Sequence, residues 1–475
     1  MRWTLKLELV REDGATEAYD LGSITRSVND VRPEEVGLTL EEARTLVRSV
    51  ECRMIADQVH AYTLCCRRCP DCGRVQQFKD VRTKCVQTIH GSYRFRGRRI
   101  TACPCQVQRG YRVAFLPLGE LIPRRTTPEL RFLFAELGAR MPYREASRVL
   151  QICGFGRMRA SRMAIWRHTL EIGKSIDADQ RRAALARLRG TSSAARAVSV
   201  GIDDTYIRHH QRDAGRQIQV TGGRIERNGK LAERFAFVSS APGWTPDQFK
   251  GLLRQHGIGT GASMRVISDG DDGLRNFVQS AVAPKVTQQL DWFHIGMRLE
   301  RLRKSVQLPM SYEEFVRNPG LFKPLERRVS RIRDSLWRGR PWRALLHLAQ
   351  LRRDARQWAD GTADRYPDVL TRLNRAIDDF SGYIGGNRRA VPDFARARAA
   401  GRRISTAHVE SVMNHLINHR MSKKQQMRWS PAGAHYLLQV RADVLNGLLV
   451  TFAPKVPLTN RSGIRGLRGD DLLSL

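Results

Sequence analysis

The sequence predicts a multidomain α/β protein, and three observations predict it. The chain has 475 residues, enough for two to four domains and at least one sizeable core. Cysteines cluster between residues 65 and 105, ahead of a helical region. Near residue 198 the hydrophobic periodicity changes from that of helices to that of strands. Composition agrees: 41% hydrophobic and 7% aromatic residues belong to a folded chain.

Residues 1–64 open with Trp3 to Leu9, which alternates as a strand does and lacks the pattern of a signal peptide. Thr39 and Glu42 have capping-box spacing, and Leu46, Val47, Val50, Met54 and Ile55 continue the helix. Cys52 falls inside it as a packed thiol.

Residues 65–110 hold Cys65, Cys66, Cys69, Cys72, Cys85, Cys103 and Cys105, with a hairpin expected over 86–96, turning near Gly91. Two short cysteine knuckles flanking a hairpin give the layout of a zinc ribbon. Thiolates suit tetrahedral zinc, and a small β-module needs a metal to offset its thin core. Cys69 and Cys72 form a CxxC half, and Cys103 and Cys105 a tighter CxC half. Cys65, Cys66 or Cys85 remain substitutes for the weaker half.

Residues 125–180 read as helices: one opened by Pro128, one over 143–150 broken at Gly154 and Gly156, and one from Ser161 through Trp166 to Leu170. Helix, glycine turn and basic helix fit a helix-turn-helix, and fit any helical hairpin equally. Residues 182–197, rich in Ala, Arg and Ser, read as a linker.

The core begins at 198. Strands are expected over 198–203, 216–220 and 234–238, then a helix capped by Thr245 with Pro246 at its first position. A strand over 264–268, a helix from near Asp271 and a strand over 286–292 follow. Three strands, then alternating helix and strand, is the order of a ribonuclease H-like mixed sheet, here over 198–294. A basic helical insertion spans 295–403; residues 301–400 hold 22 bases and 11 acids, with Trp337, Trp342 and Trp358 as its expected packing centres. Residues 404–450 return to the core with a helix from Ser405 and Thr406, whose apolar face is Val409, Val412, Leu416 and Ile417. Residues 451–475 are a tail.

Charge narrows the function. Lys and Arg number 82 against 47 acids, a formal charge of +35, which favours a polyanionic partner such as nucleic acid. Residues 1–50 hold ten acids and seven bases, a net of −3, so the basic surface lies elsewhere. No apolar run of about 18 residues exists, which argues against a membrane span and for the cytoplasm, where cysteines serve as metal ligands or packed thiols.

Cutting a phosphodiester needs an activated water and stabilised charge on attacking and leaving oxygens. Two divalent ions, Mg²⁺ or Mn²⁺, held by carboxylates do both. Asp203 follows Val198, Val200 and Ile202 in a strand, where an acid is costly without a metal or partner. Asp204 is its rival, because strand parity alone does not choose between them. Asp269 ends a strand ahead of Gly270, and Glu410 lies near the start of the late helix. An acid at either of the last two places is more often a turn or a solvated position.

The text Val200-Gly201-Ile202-Asp203-Asp204-Thr205-Tyr206-Ile207, Ile267-Ser268-Asp269-Gly270 and Leu290-Asp291-Trp292-Phe293-His294 resembles insertion-sequence transposases of the ISKra type, within the DDE class. So do His408-Val409-Glu410-Ser411, Asn418-His419-Arg420-Met421 and Met427-Arg428-Trp429-Ser430-Pro431-Ala432-Gly433-Ala434. The resemblance covers roughly residues 65–447. It implies Asp203, Asp269 and Glu410 as the catalytic, metal-binding triad, a zinc ribbon, and a homo-oligomer acting on transposon terminal repeats and target DNA in the nucleoid. Family members often carry glycine where Asp204 stands. Asp291 and His294 match a D-x-x-H element of Mutator-like transposases, with a structural or DNA-positioning role or an ordinary hydrogen-bonded histidine. Arg420, Arg428 and Trp429 are candidates for DNA contact, or for packing and surface charge. The rival functions are a ribonuclease H-like nuclease or resolvase without strand transfer, and an inactive zinc-ribbon DNA-binding protein.

Overall fold

The computed structural model describes residues 1–449 apart from 12–13, 31, 109–112, 123, 154–159, 191–197, 212–214, 228–229, 259–263, 271–276, 278–285, 308–322, 361–366 and 422–426; side chains at 153, 307, 358–360, 367–370 and 408 are also outside the description. The chain is a mixed α/β protein that divides into two compact units, 1–175 with 447–475, and 176–446. No helix among the described residues is long and apolar enough to cross a membrane.

The first unit opens with an antiparallel hairpin, β1 (Arg2–Val10) and β2 (Thr16–Thr25). Helix α1 runs over Leu40–Cys65, with Thr39 and Glu42 forming the expected capping box. Strands β3 (Phe78–Gln87), β4 (Ser92–Thr101) and β5 (Ala114–Phe115) form an antiparallel sheet in that order. Its hairpin turns over 88–91, where the Gly91 carbonyl accepts the Thr88 amide. Val86, Tyr93 and Phe95 pack with Val59 of α1 and with Leu118 of α3 (Pro117–Leu121); α2 (Pro104–Val107) is a single turn. Helices α4 (Pro128–Arg140) and α5 (Tyr143–Cys153) follow as expected. The Gly154 and Gly156 turn lies outside the described residues.

Helix α6 (Arg162–Arg189) is longer than the sequence suggests. Residues 182–189, read as linker, are its last two turns, because Ala and Arg are strong helix formers whatever their low complexity. Residues 191–197 lie outside the described residues. The division between the units falls within α6, and the expected boundaries at 64, 110 and 125 are internal to the first.

The second unit is built on five strands: β6 (Val198–Arg208), β7 (Gln217–Arg227), β8 (Lys230–Phe237), β9 (Met264–Ser268) and β10 (Val286–Leu290). Their order is β10-β9-β6-β7-β8. β7 runs antiparallel to its neighbours β6 and β8, while β9 and β10 run parallel to β6. Even-numbered residues of β6 (Val198, Val200, Ile202) join Phe235, Phe237, Met264 and Val266 in a core with Phe249 and Leu253 of α7 (Pro246–Gln255). The expected helix from Asp271 falls outside the described residues apart from Phe277, which packs on that core.

The last expected strand stops at Leu290. Trp292 starts helix α8 (Trp292–Gln307) because the Asp291 carboxylate caps it, accepting the Phe293 amide at 2.8 Å. The insertion is helical as expected: α9 (Lys323–Trp337), α10 (Pro341–Asp360), α11 (Pro367–Gly386) and α12 (Phe394–Ala399) surround a large apolar core. Trp337 packs there against Trp292 and Phe394. Trp342 does not; it is 66% exposed and carries Arg388 over its ring. The Trp358 side chain lies outside the description.

The chain returns through α13 (Ala407–Met413), a π turn over Asn414–Asn418, and α14 (His419–Met421). The π turn leaves carbonyls of His415 and Leu416 to be taken by Arg441 of α15 (Pro431–Asn446). Along α15, Gln439 donates to the Ala236 carbonyl and His435 accepts the Val238 amide, which ties the helix to β8.

Candidate active site and metal centre

In the first unit the knuckle after α1 folds on itself: the Gly73 amide donates to the Cys69 carbonyl, and Cys69 in turn donates to Arg74. The second pair comes from the start of α2, whose first turn hangs from the Cys103 carbonyl. Cys69, Cys72, Cys103 and Cys105 thereby bring their sulfurs within 4.8 Å of one another. Cys69 lies 3.6 Å from Cys105, and Cys72 lies 3.4 Å from Cys103. Four thiolates at about 2.3 Å around a tetrahedral zinc would be about 3.8 Å apart. The donor set and its spacing therefore fit a metal ion such as zinc. Hydrogen bonding to Cys103, burial, and the other two thiols push Cys105 up to about 12, a preference that a coordinated cation reverses. Cys65, Cys66 and Cys85 lie outside this group.

In the second unit, strand register puts the two aspartates on opposite faces of the sheet. Asp204 pairs with Thr221 on β7 and accepts hydrogen bonds from Thr221 Oγ1 at 2.5 Å and Gln219 Nε2 at 2.8 Å. Asp203 shares the opposite face with Gly201, and that face is covered by α13. A Cβ on Gly201 would meet Val409 Cγ2 at 2.3 Å, and one on Gly222, the partner of Asp203, would meet Met413 Sδ at 2.8 Å. Two glycines are therefore what lets the helix bearing Glu410 lie close over Asp203.

Parallel strands β6 and β9 pair Val198 with Met264 through to Gly201 with Ile267. That is an offset of 66, the same as the spacing from Asp203 to Asp269. Extending the register by two residues sets those aspartates level, Asp203 in the middle of β6 and Asp269 just past the carboxyl end of β9. Likewise β9 and β10 pair Ser268 with Leu290, so Asp291 is the next in the row. Burial raises Asp203 to about 6; the Asp204 amide opposes this, the Asp269 charge adds to it, and His294 opposes it.

The helical insertion also serves this end of the sheet. Tyr383 of α11 donates its hydroxyl to the Asp269 carbonyl at 2.9 Å, with Arg298 of α8 4.0 Å above its ring. Tyr383 carries no sequence signal, because its partner is 114 residues away.

Glu410 is exposed on α13. Among the described residues the four thiols are the one group of three or more His, Cys, Asp or Glu ligands within 4.8 Å of each other. Asp203, Asp269 and Glu410 are thus not gathered that closely. His294 Nε2 lies 3.8 Å from the fully buried Asp291.

The structure places Arg420 and Trp429 in the interior, 1% and 4% exposed. Arg420 lies 5.5 Å over the Trp429 ring and bonds Met427 Sδ, while Trp429 Nε1 donates to the Met421 carbonyl. Both therefore pack the end of β6, where Trp429 exchanges backbone bonds with Arg208 and His210. Arg428 alone of the three is exposed. Neither family models nor curated proteins yield a match to this chain.

Proposed function

We propose that this chain is a DNA transposase of the DDE class, which cleaves transposon ends and joins them to target DNA. The observation that carries the reading is the level placement of Asp203 and Asp269 on adjoining parallel strands, under the helix bearing Glu410. The order β8-β7-β6-β9-β10, three antiparallel strands and two parallel ones, supports reading this sheet as a ribonuclease H-like core. A formal charge of +35 suits the substrate.

Asp203, Asp269 and Glu410 would hold Mg²⁺ or Mn²⁺, which when bound activates water and shares the charge of the attacking and leaving oxygens. A cation also offsets the burial and repulsion that raise Asp203. Glu410 would complete the site from α13, which already lies on the face of β6 and β7 that bears Asp203. We read β3 and β4 with the four thiols as a zinc ribbon, α4 to α6 as the helical DNA-binding region, and Arg428 as a backbone contact. The protein would act in the cytoplasm, as an oligomer pairing two DNA ends.

A second reading, an inactive zinc-ribbon DNA-binding protein, is favoured by the three acids not being gathered to ligand distance. Strand transfer with purified protein, Mn²⁺ and DNA bearing the flanking repeat separates the readings. Joined product is expected, falling about 10²–10³-fold or more in Asp203→Ala, Asp269→Ala and Glu410→Ala while DNA binding persists. Binding without cleavage in the parent would establish the second reading, and cleavage without joining would indicate a nuclease.

A further inference from the structure

Asp291 stands third in the row of acids across β6, β9 and β10, yet its surroundings differ from those of Asp203 and Asp269. It is fully buried. A buried carboxyl group is costly unless its oxygens are occupied, and here each is. Oδ1 accepts the Phe293 amide at 2.8 Å and so starts α8. Oδ2 accepts the Thr406 hydroxyl and lies 3.8 Å from His294 Nε2. The Asp291 amide donates to the Ser268 carbonyl at 2.9 Å.

Three of these contacts, those with Ser268, His294 and Thr406, each lead to one of the three acids. Ser268 precedes Asp269. His294 is near enough for its charge to act on Asp203. Thr406 immediately precedes α13 and stands four residues before Glu410, whose amide it accepts at 2.9 Å. The segment leading to Thr406 is pinned at neighbouring points. The Trp292 amide donates to the Ile404 carbonyl at 3.0 Å, Gln289 Nε2 to the Arg403 carbonyl at 3.1 Å, and Arg403 pairs with Glu226 at 2.7 Å.

We propose that Asp291 is a positioning residue: through Thr406 it sets the start of α13 against the ends of β9 and β10, and so holds Glu410 in register with Asp203 and Asp269. The inference rests on the reading of those three acids as one cation site. A capping role alone would need only the Oδ1 contact, so the Thr406 contact is the one to test.

Thr406→Val removes the hydroxyl and keeps the branched shape, while Thr406→Ser keeps the hydroxyl. The readout is the Mn²⁺ concentration at half-maximal DNA cleavage, beside DNA affinity and thermal unfolding of each variant. Thr406→Val is expected to raise that concentration about 10–100-fold with DNA affinity unchanged, as loss of an outer contact to a metal site does. Thr406→Ser is expected to return it to the parent value. An unchanged midpoint in Thr406→Val overturns the inference, as does a Thr406→Ser variant no better than Thr406→Val. Should the parent not cleave DNA, Mn²⁺ titration calorimetry against Asp203→Ala reads the same site. Mn²⁺ binding weakened in Thr406→Val and restored in Thr406→Ser upholds the inference while the transposase reading fails. A parent that binds no Mn²⁺ at Asp203 overturns both.

Discussion

The four-thiol cluster and the row of aspartates bring like side chains together, and the structure does so to different degrees. Cys69, Cys72, Cys103 and Cys105 already lie within 4.8 Å of one another, whereas Asp203, Asp269 and Glu410 do not. The difference follows from charge and from chain distance. Protonated thiols crowd without repulsion, and Cys105, pushed up to about 12, is held in that form by its neighbours. Carboxylates repel, and Asp203 registers both that repulsion and its burial by rising to about 6. The thiols also come from two tight knuckles at the ends of one hairpin, while Glu410 arrives 141 residues after Asp269. A thiol site can therefore be largely preformed by local turns, whereas a carboxylate site depends on devices such as the Asp291 and Thr406 contact.

The largest expected effect comes from breaking the completed site. Cys103→Ala removes a buried ligand, and metal binding of this kind contributes on the order of 10 kcal/mol to a folded module. We expect loss of bound zinc and of amide protection across β3 and β4. Cys65→Ala, Cys66→Ala and Cys85→Ala should keep both. Zinc retained in Cys103→Ala, measured by colorimetric release, would mean that the cluster is not the ligand set.

The aspartates invert the sign. Folding raises Asp203 from 3.8 to about 6, so the folded state binds the proton more tightly. Stability is then lost as pH rises through the window from about 4 to about 6, and above it the full penalty remains, at most about 3 kcal/mol. Asp203→Asn removes that penalty. Its denaturation midpoint should exceed the parent's at pH 7 and approach it near pH 4, while Mn²⁺ should stabilise the parent alone. A variant less stable than the parent at pH 7 would show that the carboxylate is held by favourable contacts instead.

This asymmetry also explains what could be read in advance. Sites made locally were legible: CxxC and CxC bracket the hairpin, Thr39 and Glu42 cap α1, and the strand expected over 264–268 is β9 to the residue. The different partners of Asp203 and Asp204 were not, because those of Asp204, Thr221 and Gln219, come from across the sheet. Tyr383 and Thr406 act on partners more than a hundred residues away, and nothing in their neighbourhoods announces it. Arg420 and Trp429 were open in the sequence to either DNA contact or packing. A basic residue and an indole in a motif suggest DNA, yet they pack on each other inside the protein.

The finest test lies in two glycines. Gly73 follows Cys72 with φ +72°, and Gly270 follows Asp269 with φ +89°. Both lie in the left-handed region, where an alanine costs roughly 1–2 kcal/mol. Their surroundings differ. A Cβ at Gly73 meets nothing within 4 Å, but one at Gly270 meets Leu290 Cδ1 at 2.6 Å and the Asn387 amide at 2.9 Å. Gly270→Ala should therefore cost a further 1–3 kcal/mol or so of crowding, and disturb the site through the end of β9. Gly73→Ala should cost the conformational share alone and keep its zinc. Equal unfolding shifts in the two variants would mean that Leu290 and Asn387 yield readily, and that the aspartate end of the sheet is no more tightly packed than the exposed knuckle.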